Sequence, residues 1–136
     1  MTLEEQLIRD EGMRLRPYKD TVGKVTIGVG RNLDDVGISK AEAMVMLQND
    51  ISAAMDSLEK AFPWTTAMDS VRLSALVNMT FNMGVGRLAG FKKFLAECQQ
   101  GNWEEAKAQM LDSVWAEQVG ARAQRLALQI ETGEWQ

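Results

Sequence analysis

The sequence predicts an α+β fold that is mostly α-helical: a small N-terminal lobe carrying a β-hairpin, a long linking helix and a helical C-terminal lobe. Three observations lead there. Apolar residues recur at helical spacing from residue 39 onward, a single short segment at 24–29 alternates with period two, and glycines and prolines separate the patterns. With 136 residues, 46% hydrophobic and 25% charged, the chain fits one compact domain with a core of its own. Within it we expect the N-terminal lobe at 1–38, the linking helix at 39–62 and the helical lobe at 63–136.

Thr2 followed by Glu5 has the form of a capping box, and Leu3 and Leu7 share a helical face, so a first helix is expected over residues 3–11. Gly12 then stands where a left-handed residue would close it. Pro17, Gly23, Gly28 and Gly30 interrupt any helix over the next stretch. Val25, Ile27 and Val29 alternate with Lys24, Thr26 and Gly28, the pattern of a strand, with a hairpin turn near Thr21–Gly23. Ser39 and Glu42 form a second capping box. Behind it Met44, Leu47, Ile51, Met55, Leu58 and Phe62 mark one long amphipathic helix that ends before Pro63. Asp69 opens a helix from Val71 to Met83, polar mainly at Arg72, Ser74, Asn78 and Asn82, and so expected to be central and buried. Short helices divided by Gly84, Gly86, Gly90, Gly101 and Gly120 complete the chain.

Composition narrows the chemistry. Cys98 is the single cysteine, so no internal disulfide forms, which suits a reducing compartment. There is no histidine, which removes the commonest metal ligand and the usual Ser-His and Cys-His pairs. Nothing points to a cofactor or metal, and carboxylates are the acid-base groups that remain. The net charge of −4 is uneven: residues 39–69 hold two Lys/Arg against five Asp/Glu, while residues 70–136 balance at seven each. No basic stripe offers a footprint for nucleic acid. No apolar run of membrane-spanning length occurs, and no basic tail suits a membrane surface. The acidic, amphipathic N-terminus lacks the form of a signal peptide, so the expected starting compartment is the cytoplasm.

Glu11 closes the first helix, where the macrodipole disfavours a carboxylate by roughly 0.3–1 kcal/mol and so favours its protonated form. A carboxylic acid in that state suits a general acid; a surface ion pair with Arg9 or Arg14 is the plainer reading. Asp20 lies near the hairpin turn, where aspartate is also a common turn former. Strand alternation sets Thr26 on the face opposite Val25, Ile27 and Val29, pointing outward toward a cleft, although threonine is an ordinary strand residue too. An acid, a hairpin and a polar strand residue together suggest two-carboxylate glycoside chemistry. The four tryptophans read mainly as core or lobe anchors.

The run from Glu11 to Gly30, EGMRLRPYKDTVGKVTIGVG, resembles the active-site segment of the phage-type lysozymes, or endolysins, whose pattern is E-G-x-R-L-x-x-Y-x-D-x-x-G-x-x-T-I-G-x-G. The likeness continues through ALVNMTFNMG at 75–84, WEEA from Trp103, RAQR at 122–125 and TGEW at 132–135. The resemblance implies a two-lobed lysozyme-like fold and a muramidase that cuts the β-1,4 bond between N-acetylmuramic acid and N-acetylglucosamine. It implies Glu11 as general acid, Asp20 as base or electrostatic partner and Thr26 as a residue that places water. It also implies inversion at the anomeric centre, which requires carboxyl groups about 6.5–9.5 Å apart. Asn32, Phe81 and Gln109 match substrate-lining positions; Phe81 also suits plain core packing. Arg122 matches an arginine that approaches the acid, and a solvated helix charge is its plainer reading. Arg31 departs from the family, which usually has histidine there; an ion pair with Asp50 is expected for it.

The resemblance further implies peptidoglycan as the substrate. A monomer is expected, the charge pattern and composition disfavour a nucleic-acid or stable membrane partner, and an N-terminus without signal-peptide form implies release from the host cytoplasm to the wall by a holin-type pore. Two other functions fit parts of the sequence. A lytic transglycosylase cuts the same bond without water and manages with the acid alone, so the presence of Asp20 and Thr26 favours hydrolysis. A non-catalytic peptidoglycan-binding module is disfavoured because both carboxylates are retained.

Overall fold

The computed structural model describes residues 1–136, which divide into two compact units, Met1–Met46 and Leu47–Gln136. The division falls inside the long helix.

In the first unit, α1 (Leu3–Glu11) starts as its capping box dictates: the Thr2 hydroxyl accepts from the Glu5 N–H, and the Glu5 carboxylate accepts from the Thr2 N–H. Gly12 ends the helix with φ 80° and ψ 161°. This is a positive φ but not the left-handed cap expected, because the chain leaves directly into an extended strand. Three antiparallel strands follow in the order β1 (Arg14–Lys19), β2 (Val25–Gly28) and β3 (Arg31–Asn32). Pro17 lies in edge strand β1, where the register against β2 shifts between Arg14 and Tyr18; an edge or an irregularity tolerates its missing N–H. The middle strand pairs Thr26 with Tyr18 on one side and Asn32 on the other. Thr26 is the only buried residue of this unit.

The long helix α2 (Lys40–Ala61) begins at the second capping box, with Ser39 and Glu42 exchanging backbone and side-chain bonds. Pro63 starts a 3-10 turn, Pro63–Ala67. Asp69 then caps α3 (Ser70–Met83) by accepting from the Arg72 N–H. Five further helices follow: α4 (Val85–Leu88), α5 (Lys92–Gln100), α6 (Trp103–Leu111), α7 (Val114–Val119) and α8 (Ala121–Thr132).

The apolar core lies in the second unit. Leu58, Leu76, Met79, Leu88, Phe94, Cys98, Met110, Trp115 and Ile130 are all fully or nearly fully buried there. Phe91 meets Phe94 and Trp115 edge to face, at ring-centroid distances of 6.4 and 6.3 Å. Burial pushes the Cys98 thiol up to about 12, with the neighbouring Glu97 charge acting in the same direction and Arg72 opposing it. Trp115 donates to Asn82 Oδ1 at 2.8 Å, so its one polar group is satisfied in the core. Of the other tryptophans, Trp64 and Trp103 are half-buried against this core and Trp135 is exposed.

Arg72 fastens the end of α8. Its Nε donates to the Ile130 carbonyl at 2.6 Å and its Nη2 to the Glu131 carbonyl at 3.0 Å. These are among the last carbonyls of the helix, which have no partner within it. The guanidinium also lies 4.4 Å from the centre of the Trp103 ring.

Candidate active site

Glu11 is the last residue of α1 and is exposed, with its carboxylate set against Gly30 at the β2–β3 reversal. Neither arginine that could have bound it does so. Arg9 pairs with Asp10 at 2.9 Å, and the Arg14 guanidinium lies 4.3 Å from the centre of the Tyr18 ring. No hydrogen bond or ion pair engages the Glu11 side chain, which leaves both oxygens open to another molecule.

Asp20 acts as a turn former through one of its two carboxylate oxygens. Its Oδ1 accepts from the Val22 N–H and the Lys24 N–H, both at 2.9 Å, and its backbone exchanges further bonds with Lys24 and Gly23. One carboxylate oxygen thus locks the turn from residue 20 to 24. The other, Oδ2, takes no hydrogen bond from the protein and remains available.

Thr26 departs from the outward orientation expected. It is 3% exposed, whereas Val25 and Ile27 are half-buried and Val29 is exposed. It stands on the middle strand between its cross-strand partners Tyr18 and Asn32, which share its face of the sheet. Its hydroxyl donates to the Lys24 carbonyl at 3.0 Å, which fixes the hydroxyl hydrogen and leaves the oxygen able to accept. Asn32, directly across from Thr26, is turned toward the following loop: its Nδ2 donates to Asp35 Oδ2 at 3.0 Å and its Oδ1 accepts from the Asp35 N–H at 2.9 Å.

Arg31 does not pair with Asp50. Its Nη1 instead donates to Glu42 Oε1 at 2.9 Å and to the Gly37 carbonyl at 3.1 Å. Glu42 is already turned toward the start of α2 by the capping box, while Asp50 lies eight residues further along, roughly 12 Å down the helix axis. The Arg31 hydrogen bond, reinforced by the Ser39 N–H and hydroxyl, holds the Glu42 carboxyl at about 2, well below its ordinary range. The same bond raises the Arg31 guanidinium.

In the second unit the structure brings Phe81 and Arg122 to one hollow of ≈490 Å³, lined also by Leu47, Asn78 and Trp135. Phe81 is 46% exposed and so is not simple core packing. Arg122 donates through Nε and Nη2 to Asn78 Oδ1, at 3.0 and 2.7 Å, which aims the guanidinium along this wall. Asn78 is the residue that sequence reasoning left out; its signal was a polar side chain on an otherwise apolar helix. Gln109 lies apart from Phe81, in a second hollow of ≈370 Å³ with Phe91, Lys92 and Lys93, and donates to Glu105 at 3.2 Å. No group of three or more acidic or sulfur ligands is arranged to hold a metal ion.

The family model for phage lysozyme matches residues 9–129, a span that includes Glu11, Asp20, Thr26 and Arg122. Over 97% of its length the chain is 32% identical to the probable T4-type lysozyme 2 of Dictyostelium discoideum, and it covers 95% of that protein. It is also 32% identical to the pre-baseplate central spike protein Gp5 of Enterobacteria phage T4, over 98% of this chain and 28% of the other. The SAR-endolysin of Escherichia phage Mu is 30% identical over 82% of this chain and 66% of its own.

Proposed function

Because this chain belongs to the phage lysozyme family and is a lysozyme-type peptidoglycan hydrolase, we propose that it hydrolyses the β-1,4 bond between N-acetylmuramic acid and N-acetylglucosamine with Glu11 and Asp20 as its two carboxylates. Glu11 protonates the glycosidic oxygen as the bond to the leaving sugar breaks. Asp20 Oδ2 stabilises the positive charge that develops on the ring, or takes a proton from the attacking water. The Thr26 hydroxyl oxygen, with its hydrogen committed to Lys24, accepts from that water and orients it.

The observation that carries this reading is the divided use of Asp20. One oxygen is held rigidly by two backbone N–H groups while the other is free, in the same unit as an unpaired Glu11. A carboxylate fixed in this way is preorganised, so little reorganisation is needed when charge develops beside it. Phe81, Arg122 and Asn78 supply an apolar wall with two polar groups, suited to the face and N-acetyl groups of a glycan. Biologically we place the enzyme in host lysis, reaching the wall from the cytoplasm once a holin-type pore opens.

Digestion of purified peptidoglycan with wild type, Glu11→Gln and Asp20→Asn, followed by mass spectrometry, tests the reading. Reducing muramic ends from wild type, with activity lost in both folded variants, are expected. Anhydro-muramic ends would mean a transglycosylase, and binding without cleavage by wild type would overturn the enzyme reading.

A further inference from the structure

A Cβ placed on Gly30 would lie 2.8 Å from Glu11 Oε2, 3.1 Å from its Cδ and 3.3 Å from its Cγ. No other glycine in the chain has so close a neighbour. A carbon cannot sit 2.8 Å from a carboxylate oxygen without one of them moving. Turning the carboxylate about its last bond would relieve only the oxygen, because two further carbons of the Glu11 side chain crowd the same point. Cδ and Cγ would have to give by a few tenths of an ångström as well, so the side chain shifts as a unit.

We propose that Gly30 is a positioning residue, whose bare Cα is the seat that fixes where the Glu11 carboxylate stands. The proposal rests on the reading of Glu11 as the proton donor, and it adds what determines that donor's place. Gly30 holds φ +67° at the reversal between β2 and β3, a conformation natural to glycine. That same reversal brings Asn32 beside Thr26. One tight hairpin therefore sets both the resting place of the acid and the strand pair around Thr26. Since Glu11 makes no hydrogen bond of its own, van der Waals contact with the Gly30 backbone takes the place of a polar tether.

Gly28 provides the control. It sits two residues earlier at φ +68°, and a Cβ there would meet nothing within 4 Å. Gly28→Ala and Gly30→Ala thus share the same backbone strain, and only the second collides with Glu11. The experiment compares both variants with wild type and Glu11→Gln, using kcat and KM on soluble glycan strands. Carbon NMR of protein labelled at the glutamate carboxyl carbons supplies a second readout, with the Glu11 signal assigned by its loss in Glu11→Gln. Gly30→Ala is expected to lower kcat on the order of 100-fold, the scale for a misplaced catalytic group, with KM little changed and the Glu11 signal shifted. Gly28→Ala should leave both close to wild type. Equal effects in the two alanine variants, or an unmoved Glu11 signal in Gly30→Ala, would overturn the proposal. Activity retained in Glu11→Gln would instead sink the assignment of the acid, while the NMR comparison still decides whether Gly30 seats that side chain.

Discussion

Glu42 Oε1 accepts two hydrogen bonds at 2.9 Å, one from Arg31 Nη1 and one from the Ser39 N–H, so a single oxygen joins β3 to the start of α2. The folded carboxyl lies at about 2 against an ordinary value of 4.5. A depressed folded value means that the stabilisation is fully present above the ordinary value and is lost as pH falls through the folded one. Thermal unfolding of wild type and Glu42→Gln should therefore differ most at pH 6 and converge as the pH approaches about 2. Because the pair is open to solvent, added salt should also narrow the difference. A gap that stays constant across this range would refute the linkage.

The two oxygens of Asp20 predict a split between stability and activity. Asn at position 20 keeps an acceptor for Val22 and Lys24, so Asp20→Asn should unfold in urea within ~0.5 kcal/mol of wild type while losing most of its activity. Asp20→Ala removes both turn hydrogen bonds, one of them exposed to solvent, and should cost about 0.5–1.5 kcal/mol in addition. Equal stability losses in the two variants would show that the turn does not depend on this oxygen.

Arg72 is 17% exposed in its side chain and supplies the last carbonyls of α8 with donors. Arg72→Ala should lower stability by ~2–4 kcal/mol, through lost charge-assisted bonds and the lost contact with Trp103. Lysine lacks the planar fork that reaches two carbonyls at once, so Arg72→Lys should recover less than half of that loss. Chemical denaturation of the three proteins decides it.

Trp115 and Asn82 form a hydrogen bond at the edge of the core. A double-mutant cycle with Trp115→Phe and Asn82→Ala should give a coupling energy of about 0.5–1.5 kcal/mol. Purely additive effects would mean that the indole nitrogen contributes nothing through Asn82.

The helix starts at Thr2, Ser39 and Asp69 are legible in the sequence because a cap is a contract between residues three apart, and each forms as its residue types require. Distant partners are less legible. Strand β3 has only two residues and no pattern of its own; it exists because Thr26 and Ile27 offer it a ladder. That third strand also explains Thr26, whose alternation was readable but whose cover was not. The charge on Arg31 was evident, yet its partner depended on where a capping box had already turned a carboxylate. At the site, residue types were readable and their commitments were not: sequence named Asp20 as turn former or catalyst, and the structure commits Oδ1 to the turn while Oδ2 takes no hydrogen bond from the protein.

Cys98, described above as a core thiol 2% exposed and resistant to ionisation, also gives the molecule a native clock. Thiolate is the reactive form, so an aromatic disulfide or alkylating reagent cannot consume this sulfur in the closed state. Modification must await an opening of α5 and the helices around it, and the chain has no second cysteine to blur the signal. At fast reclosing, the rate of modification divided by that of a free peptide thiol equals the opening constant of that part of the core. The Arg72 and Trp115 variants can thus be ranked under fully native conditions, without urea and without a label, by how quickly one sulfur is lost.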